Sequence, residues 1–258
     1  MAEDPRNSKP LRFDGRVVVV TGAGRRLGRE FVRLLARRGA TVVGNDICRS
    51  EDHQYGARDA EDDDAAQRVV EEIESAGGSA IAITADVSDP ASGERIMTPA
   101  VTTFGGSDIL INNAGIVPYA PLEDLSSAQF LRTIAVDAGG AFHLSREAWR
   151  HFHVAGYGRV VKICSSVSVV YGNDNYAAYA SAKSALLGLT RVTACEGRSH
   201  GILVNGLLPN AATPARPCVA QPLPASRNDH DRSAELIAHA AARLGHEQCS
   251  ATGPQYCS

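Results

Sequence analysis

The sequence predicts an α/β fold in which one doubly wound parallel sheet is flanked by helices on both faces. Three observations predict it: apolar β-branched runs recur along the chain, amphipathic segments separate them, and a glycine-spaced turn follows the first run. Continuous rather than alternating apolarity is what a parallel strand covered on both faces requires.

The first run, "RVVVVT" (16–21), leads into "LGREFVRLLARRGA", whose Leu27, Phe31, Leu34 and Leu35 share one helical face before Gly39 ends the helix. "ATVVGND" (40–46) is the second strand. "DAAQRVVEEIESAGG" repeats the helical design, with acidic residues at its start and glycines at its end. "AIAITAD" (80–86), "DILINNAG" (108–115), "RVVKICSS" (159–166) and "ILVNGLLP" (202–209) continue the strand series. Strand, helix and strand in regular succession imply right-handed crossovers and a Rossmann-type sheet. The expected organisation is a flexible N-terminal segment (1–10) and one dinucleotide-binding catalytic domain (11–258). Two irregular stretches, "CRSEDHQYGARDAEDDD" and "ATPARPCVAQPLPASRNDHD", read as solvated loops; the second, rich in proline, also suits a loop over substrate.

Composition narrows the partners. A chain of 258 residues with net charge -3 has no broad basic field to recruit nucleic acid or anionic membrane, so a small molecule is expected. No apolar segment approaches the ~20 residues of a membrane span, and the polar start "MAEDPRNSKP" lacks the apolar core of a signal peptide, which points to the cytoplasm. Cys48, Cys164, Cys195, Cys218, Cys249 and Cys257 are scattered, and His143, His151 and His153 lack partners at metal-ligand spacing. Reduced thiols and no metal are therefore expected.

The turn "TGAGRRLG" places Gly22, Gly24 and Gly28 where backbone N–H groups meet a phosphate. Asp46 ends the second strand eighteen positions after Gly28, close to the ~20-residue offset of a carboxylate that binds ribose hydroxyls. That carboxylate would repel a 2′-phosphate and favours NAD, while Arg25 and Arg26 leave NADP open. In "YASAK", Tyr179 and Lys183 stand four apart on one helical face, a spacing that lets an ammonium lower the phenol's pKa for acid/base work. Ser166 lies thirteen residues earlier, at the end of "RVVKICSS".

The ordered set "TGAGRRLG", "ADVSD", "NNAG", "SSVSVVYG", "YASAK" and "VNGLLP" resembles the short-chain dehydrogenase/reductase family over about residues 11–258. Within it, "RFDGRVVVVTGAG", "NDI", "YGND" and Pro209-Asn210 are most similar to the hydroxyacyl-CoA dehydrogenase part of multifunctional enzyme type 2 and its bacterial relatives. The resemblance implies hydride transfer between a nicotinamide cofactor and a secondary alcohol or ketone, such as a 3-hydroxyacyl thioester or polyketide-like compound. Tyr179 would be the acid/base, Lys183 would hold the nicotinamide ribose and tune Tyr179, and Ser166 would bond the substrate oxygen. Asp86 would meet adenine. Asn113, Ala114 and Gly115 would line the cofactor, with further contacts from Arg26, Leu27, Val87, Pro209 and Thr213. It also implies association through 126–150 and 179–198 and, separately, through C-terminal ends; without the glycine-rich tail a homodimer through the helices is expected and a tetramer is weakened.

Four features depart from the family pattern. Arg26 replaces the middle glycine of the turn, Asp137 stands for the asparagine whose carbonyl supports a proton relay to the lysine, and Val169 replaces a glycine. "TGPQYCS" resembles the start of the last strand without the glycine-rich tail, so a truncated C-terminal strand is expected. Two other readings stay open: a non-redox acid/base enzyme (cyclase, dehydratase or epimerase) on the same scaffold, and a binding or scaffold protein with a degenerate nucleotide site.

Overall fold

The computed structural model describes residues 10–47, 64–168, 170–209 and 234–256. Nearly all of the N-terminal segment, most of both irregular stretches, and Val169, Asn210 and Thr213 lie outside the described residues.

Seven parallel strands form the sheet: β1 (Val17–Thr21), β2 (Thr41–Asp46), β3 (Ser79–Thr84), β4 (Ile109–Asn112), β5 (Gly158–Ile163), β6 (Ile202–Leu208) and β7 (Gly253–Tyr256), in the order β3-β2-β1-β4-β5-β6-β7. β1 is the pivot, with Val18 registered on Val42 to one side and Ile109 to the other. Alternate residues of each strand serve opposite layers. Val18, Val20, Ile109, Ile111 and Val161 join the core under α1 (Arg26–Arg37), α2 (Ala65–Ser75) and α7 (Ala234–Gly245). Val17, Val19, Leu110 and Val160 join the opposite core under α3 (Ser92–Phe104) and α5 (Gly140–Ala155). This two-sided burial is why the strands read as unbroken apolar runs.

The strands end earlier than the apolar runs suggest. β3 stops at Thr84, β4 at Asn112 and β5 at Ile163, so Asp86, Asn113–Gly115 and Ser166 lie on loops beyond the strands' carboxyl ends. Ser166 itself opens a short 3₁₀ turn. The stretch 126–150 is also divided: α4 (Ser127–Ile134), closed at its start by a reciprocal Ser126–Gln129 capping box, passes through a π-helical turn at Ala135–Gly139 before α5. The wider turn brings Asp137 inward, where it is fully buried. α6 (Ala177–Gly197) packs against β6 and carries Tyr179 and Lys183 in its first two turns. β7 pairs with β6 in register from Asn205 on Gly253 to Leu208 on Tyr256. Strand order reverses between β1 and β4, which opens a crevice at their carboxyl ends.

Candidate active site

The glycine turn sits at that crevice. Gly22 has φ +64, and a Cβ on Gly28 would lie 1.8 Å from the Gly22 carbonyl oxygen, so helix and turn approach more closely than any side chain permits. Thr21 Oγ1 accepts the Asn113 and Ala114 N–H groups at 3.0 Å, and Asn113 Nδ2 donates to the carbonyls of Thr21 and Gly22. "NNAG" thus holds the turn from below. The N-cap residue of α1, Arg25, is extended and makes no side-chain cap, and no acidic residue occupies the first turn. This helix start, with glycines before it, fits the phosphates of a dinucleotide.

Asp46 faces the turn. Its Oδ2 accepts the Gly24 N–H and its Oδ1 the Ile47 N–H, each at 2.8 Å. Burial raises its carboxyl above the ordinary value, opposed by those two N–H groups and by the charge of Arg25. Arg26 is exposed and has φ +48, a left-handed conformation that glycine adopts without strain. Leu27 is half-buried against the core.

Beyond β3, a cavity of about 290 Å³ is lined by Ile47, Thr84, Ala85, Asp86, Ser88, Asp89 and Arg95. Asp86 Oδ1 accepts from the Ser88 N–H and hydroxyl, and Arg132 of α4 donates to its Oδ2 at 3.0 Å. Although burial works against ionisation, these partners hold the Asp86 carboxyl below its ordinary value. Val87 turns its side chain into the core against Gly140, so only its backbone can meet a ligand. Pro209 follows the end of β6 at the same edge.

Tyr179 and Lys183 come together as their spacing requires, with Lys183 Nζ 5.5 Å from the Tyr179 ring centre. Lys183 Nζ also donates to the Ile163 carbonyl at 3.0 Å and stands 3.1 Å from Asp137 Oδ2, while Asp137 Oδ1 accepts the Ile116 N–H at 2.8 Å. Burial raises the Asp137 carboxyl against these partners. Burial also works against the Lys183 ammonium, but Asp137 and Tyr179 outweigh it and raise the ammonium above its ordinary value. The expected lowering of the Tyr179 phenol does not occur. Burial pushes it up, Lys183 opposes that only in part, and the Asp137 carboxylate pushes it further.

The serines divide differently from the sequence expectation. Ser165, buried just beyond β5, is the hydrogen-bond partner of the Tyr179 phenol. Ser166 is paired instead with the Tyr171 hydroxyl at 3.1 Å. Tyr176 is buried and packs edge-on against Tyr119 and Tyr179. Sequence reasoning also missed Lys162, fully buried on β5, whose signal was a cation between the apolar residues Val161 and Ile163.

Sheet, turn and helix pair together define a Rossmann-type fold with a crevice at its switch point. Residues 16–216 match the family profile described as short chain dehydrogenase, and the chain belongs to that family. It is 38% identical over 243 residues to peroxisomal multifunctional enzyme A of Dictyostelium discoideum, covering 94% of this chain and 52% of that protein. It is 38% identical over 200 residues to versicolorin reductase 1 of Aspergillus parasiticus, covering 78% of this chain and 71% of that one. A crystal structure of a short chain dehydrogenase from Mycobacterium avium superposes with TM-score 0.79 at 34% identity, over 95% of this chain and 82% of that one. The chain spans about half the length of the multifunctional relative. Membership of that family implies an oxidoreductase with a nicotinamide cofactor.

Proposed function

We propose that this oxidoreductase prefers NAD and interconverts a secondary alcohol and its ketone, with Tyr179 as the proton-carrying group. The observation that carries the cofactor preference is Asp46, whose carboxylate ends β2 beside the glycine turn, where a 2′-phosphate would meet negative charge. The nicotinamide supplies or takes the hydride when bound. Tyr179 gives or takes the proton at the substrate oxygen, Lys183 orients the ribose through its ammonium, and Ser166 bonds the substrate oxygen. Ser165 holds the phenol in place. Gly22, Gly24 and Gly28 carry the phosphates, and the cavity beside Asp86 takes the adenine.

3-Oxoacyl thioesters and polyketide-like ketones are the substrate classes to screen, since relatives include proteins named multifunctional enzyme and versicolorin reductase. Exposed Leu131, Phe142 and Val192 on α4, α5 and α6 support a homodimer through those helices. Among the described residues no helix is long and apolar enough to cross a membrane, which suits a cytoplasmic enzyme, although the Dictyostelium relative is named peroxisomal. The test is fluorescence titration with NADH and NADPH, followed by a screen for cofactor oxidation by these ketones. Tighter NADH binding with turnover supports the reading; failure to bind either nucleotide overturns it, and binding without turnover of any ketone favours a non-redox acid/base enzyme.

A further inference from the structure

A lysine that serves a tyrosine through its charge needs that charge undiminished. In this chain Lys183 shares it with a carboxylate. Asp137 is brought inward by the π-helical turn at Ala135–Gly139 and is fully buried. Its Oδ2 lies 3.1 Å from Lys183 Nζ, and the Ile116 N–H fixes its Oδ1. A Cβ on Gly115 would come within 2.8 Å of Oδ2, so only glycine at that position leaves the carboxylate its place. Lys183 Nζ gives one hydrogen bond to the Ile163 carbonyl, and the Asp137 carboxylate stands beside it as an ion-pair partner.

We propose that Asp137 is a positioning residue that occupies Lys183 and neutralises its charge, so that Tyr179 stands as a protonated phenol and the site gives a proton to a carbonyl more readily than it takes one from an alcohol. The proposal rests on the reading of Tyr179 as the proton-carrying group. The remaining groups around the phenol do not restore the positive charge. Cys164, at the end of β5, has its thiol pushed up to about 11 by burial and stays neutral, and Ser165 offers only a hydroxyl. In the reducing direction the carbonyl carbon receives hydride from the bound reduced nicotinamide and its oxygen receives the Tyr179 proton. The alcohol and oxidised nicotinamide result, and the tyrosinate regains a proton from solvent. In the oxidising direction Tyr179 must first lose its proton, a step that becomes easier as pH rises.

The test is an ultraviolet difference titration of the cofactor-free protein. The chain has seven tyrosines, so the Tyr179 titration is taken as each protein minus its Tyr179→Phe counterpart. In the wild type Tyr179 should titrate above the free-phenol value of about 10, and Asp137→Asn should lower its midpoint by about one pH unit or more. The alkaline limb of alcohol oxidation should move by the same amount, whereas a merely structural role would lower activity without moving it. A midpoint unchanged by Asp137→Asn overturns the proposal. If that variant does not fold, the wild type and Tyr179→Phe alone still decide, because a tyrosine titrating below about 9 overturns it. The titration needs neither cofactor nor substrate, so its failure is distinct from failure to bind NADH.

Discussion

Asp46 Oδ2 accepts the Gly24 N–H at 2.8 Å, so the carboxylate that ends the second strand also braces the glycine turn that follows the first. Its substitution therefore has two effects that can be separated. Asp46→Ala removes brace and charge together, and NADH affinity should fall by about tenfold or more, the scale of a charge-assisted hydrogen bond. Asp46→Asn keeps an acceptor for Gly24 but removes the charge, and should shift preference toward NADPH with a smaller loss. Dissociation constants from fluorescence titration check both variants. A ratio of NADH to NADPH affinity that neither variant changes would assign the preference to another group.

Tyr179→Phe removes one oxygen from a ring that already packs edge-on against Tyr176. Cofactor affinity should stay near that of the wild type while turnover falls by ~10²–10⁴-fold, the contribution of a positioned acid/base. A variant that keeps more than about a third of wild-type turnover contradicts the assignment, since a general acid/base contributes far more than threefold. Lys183→Ala should lower turnover and cofactor affinity together, because its ammonium meets Asp137, Ile163 and, by proposal, the ribose.

The strand series was legible because both faces of the sheet are covered, which leaves Val17–Val20 and Ile109–Ile111 apolar without alternation. The Tyr179–Lys183 pair was legible for a local reason: four residues make one helical turn. Contacts distant in sequence were not. Asp137 and Lys183 are 46 positions apart, and only the π-helical turn, invisible to a 3.6-residue period, brings the carboxylate to the ammonium. The Tyr179 phenol is raised first by burial and then by the Asp137 carboxylate, and neither is visible in the Tyr179–Lys183 spacing. Ser165 and Ser166 are adjacent, so which one meets the phenol depends on where β5 stops and the 3₁₀ turn begins. An apolar run does not mark that boundary.

Lys162 makes stability depend on pH. It is fully buried beside Asn112 of β4, its register partner, and its Nζ donates to Thr193 Oγ1 at 3.1 Å. Burial lowers its ammonium to about 7, against 10.5 when exposed. The unfolded chain thus binds a proton that the folded chain has given up, and this group's contribution to stability rises with pH between those two values. From pH 7 to 9 the rise should be about 2 kcal/mol. Lys162→Met keeps the length of the side chain and removes the charge, and Thr193 retains its bond to the Leu189 carbonyl. The variant should be more stable than the wild type at pH 7, with the gap narrowing by pH 9. Urea denaturation at both values measures it, and a gap that does not change with pH contradicts the prediction.

Arg26 combines a strained backbone with a charge at the mouth of the turn, and two substitutions tell these apart. With φ +48 its Cβ meets a steric penalty of roughly 1–2 kcal/mol that glycine avoids. The greater freedom of glycine in the unfolded chain returns about 0.5–1 kcal/mol of that gain. Arg26→Gly should therefore stabilise the protein modestly, by about 0.5–1 kcal/mol. Arg26→Ala retains the strain and should not. Charge acts on the ligand instead. The exposed side chain starts α1, where its guanidinium can donate to a pyrophosphate oxygen or to a substrate carboxylate, a contact worth about 1.5–3 kcal/mol. Both variants should then bind NADH about tenfold more weakly or show a raised substrate KM, although only one of them gains stability. Isothermal titration beside thermal melts reads the two quantities independently. NADH binding that appears only after the side chain is removed would mean that Arg26 fills the place of the phosphates, and that the turn has lost its cofactor while keeping its shape.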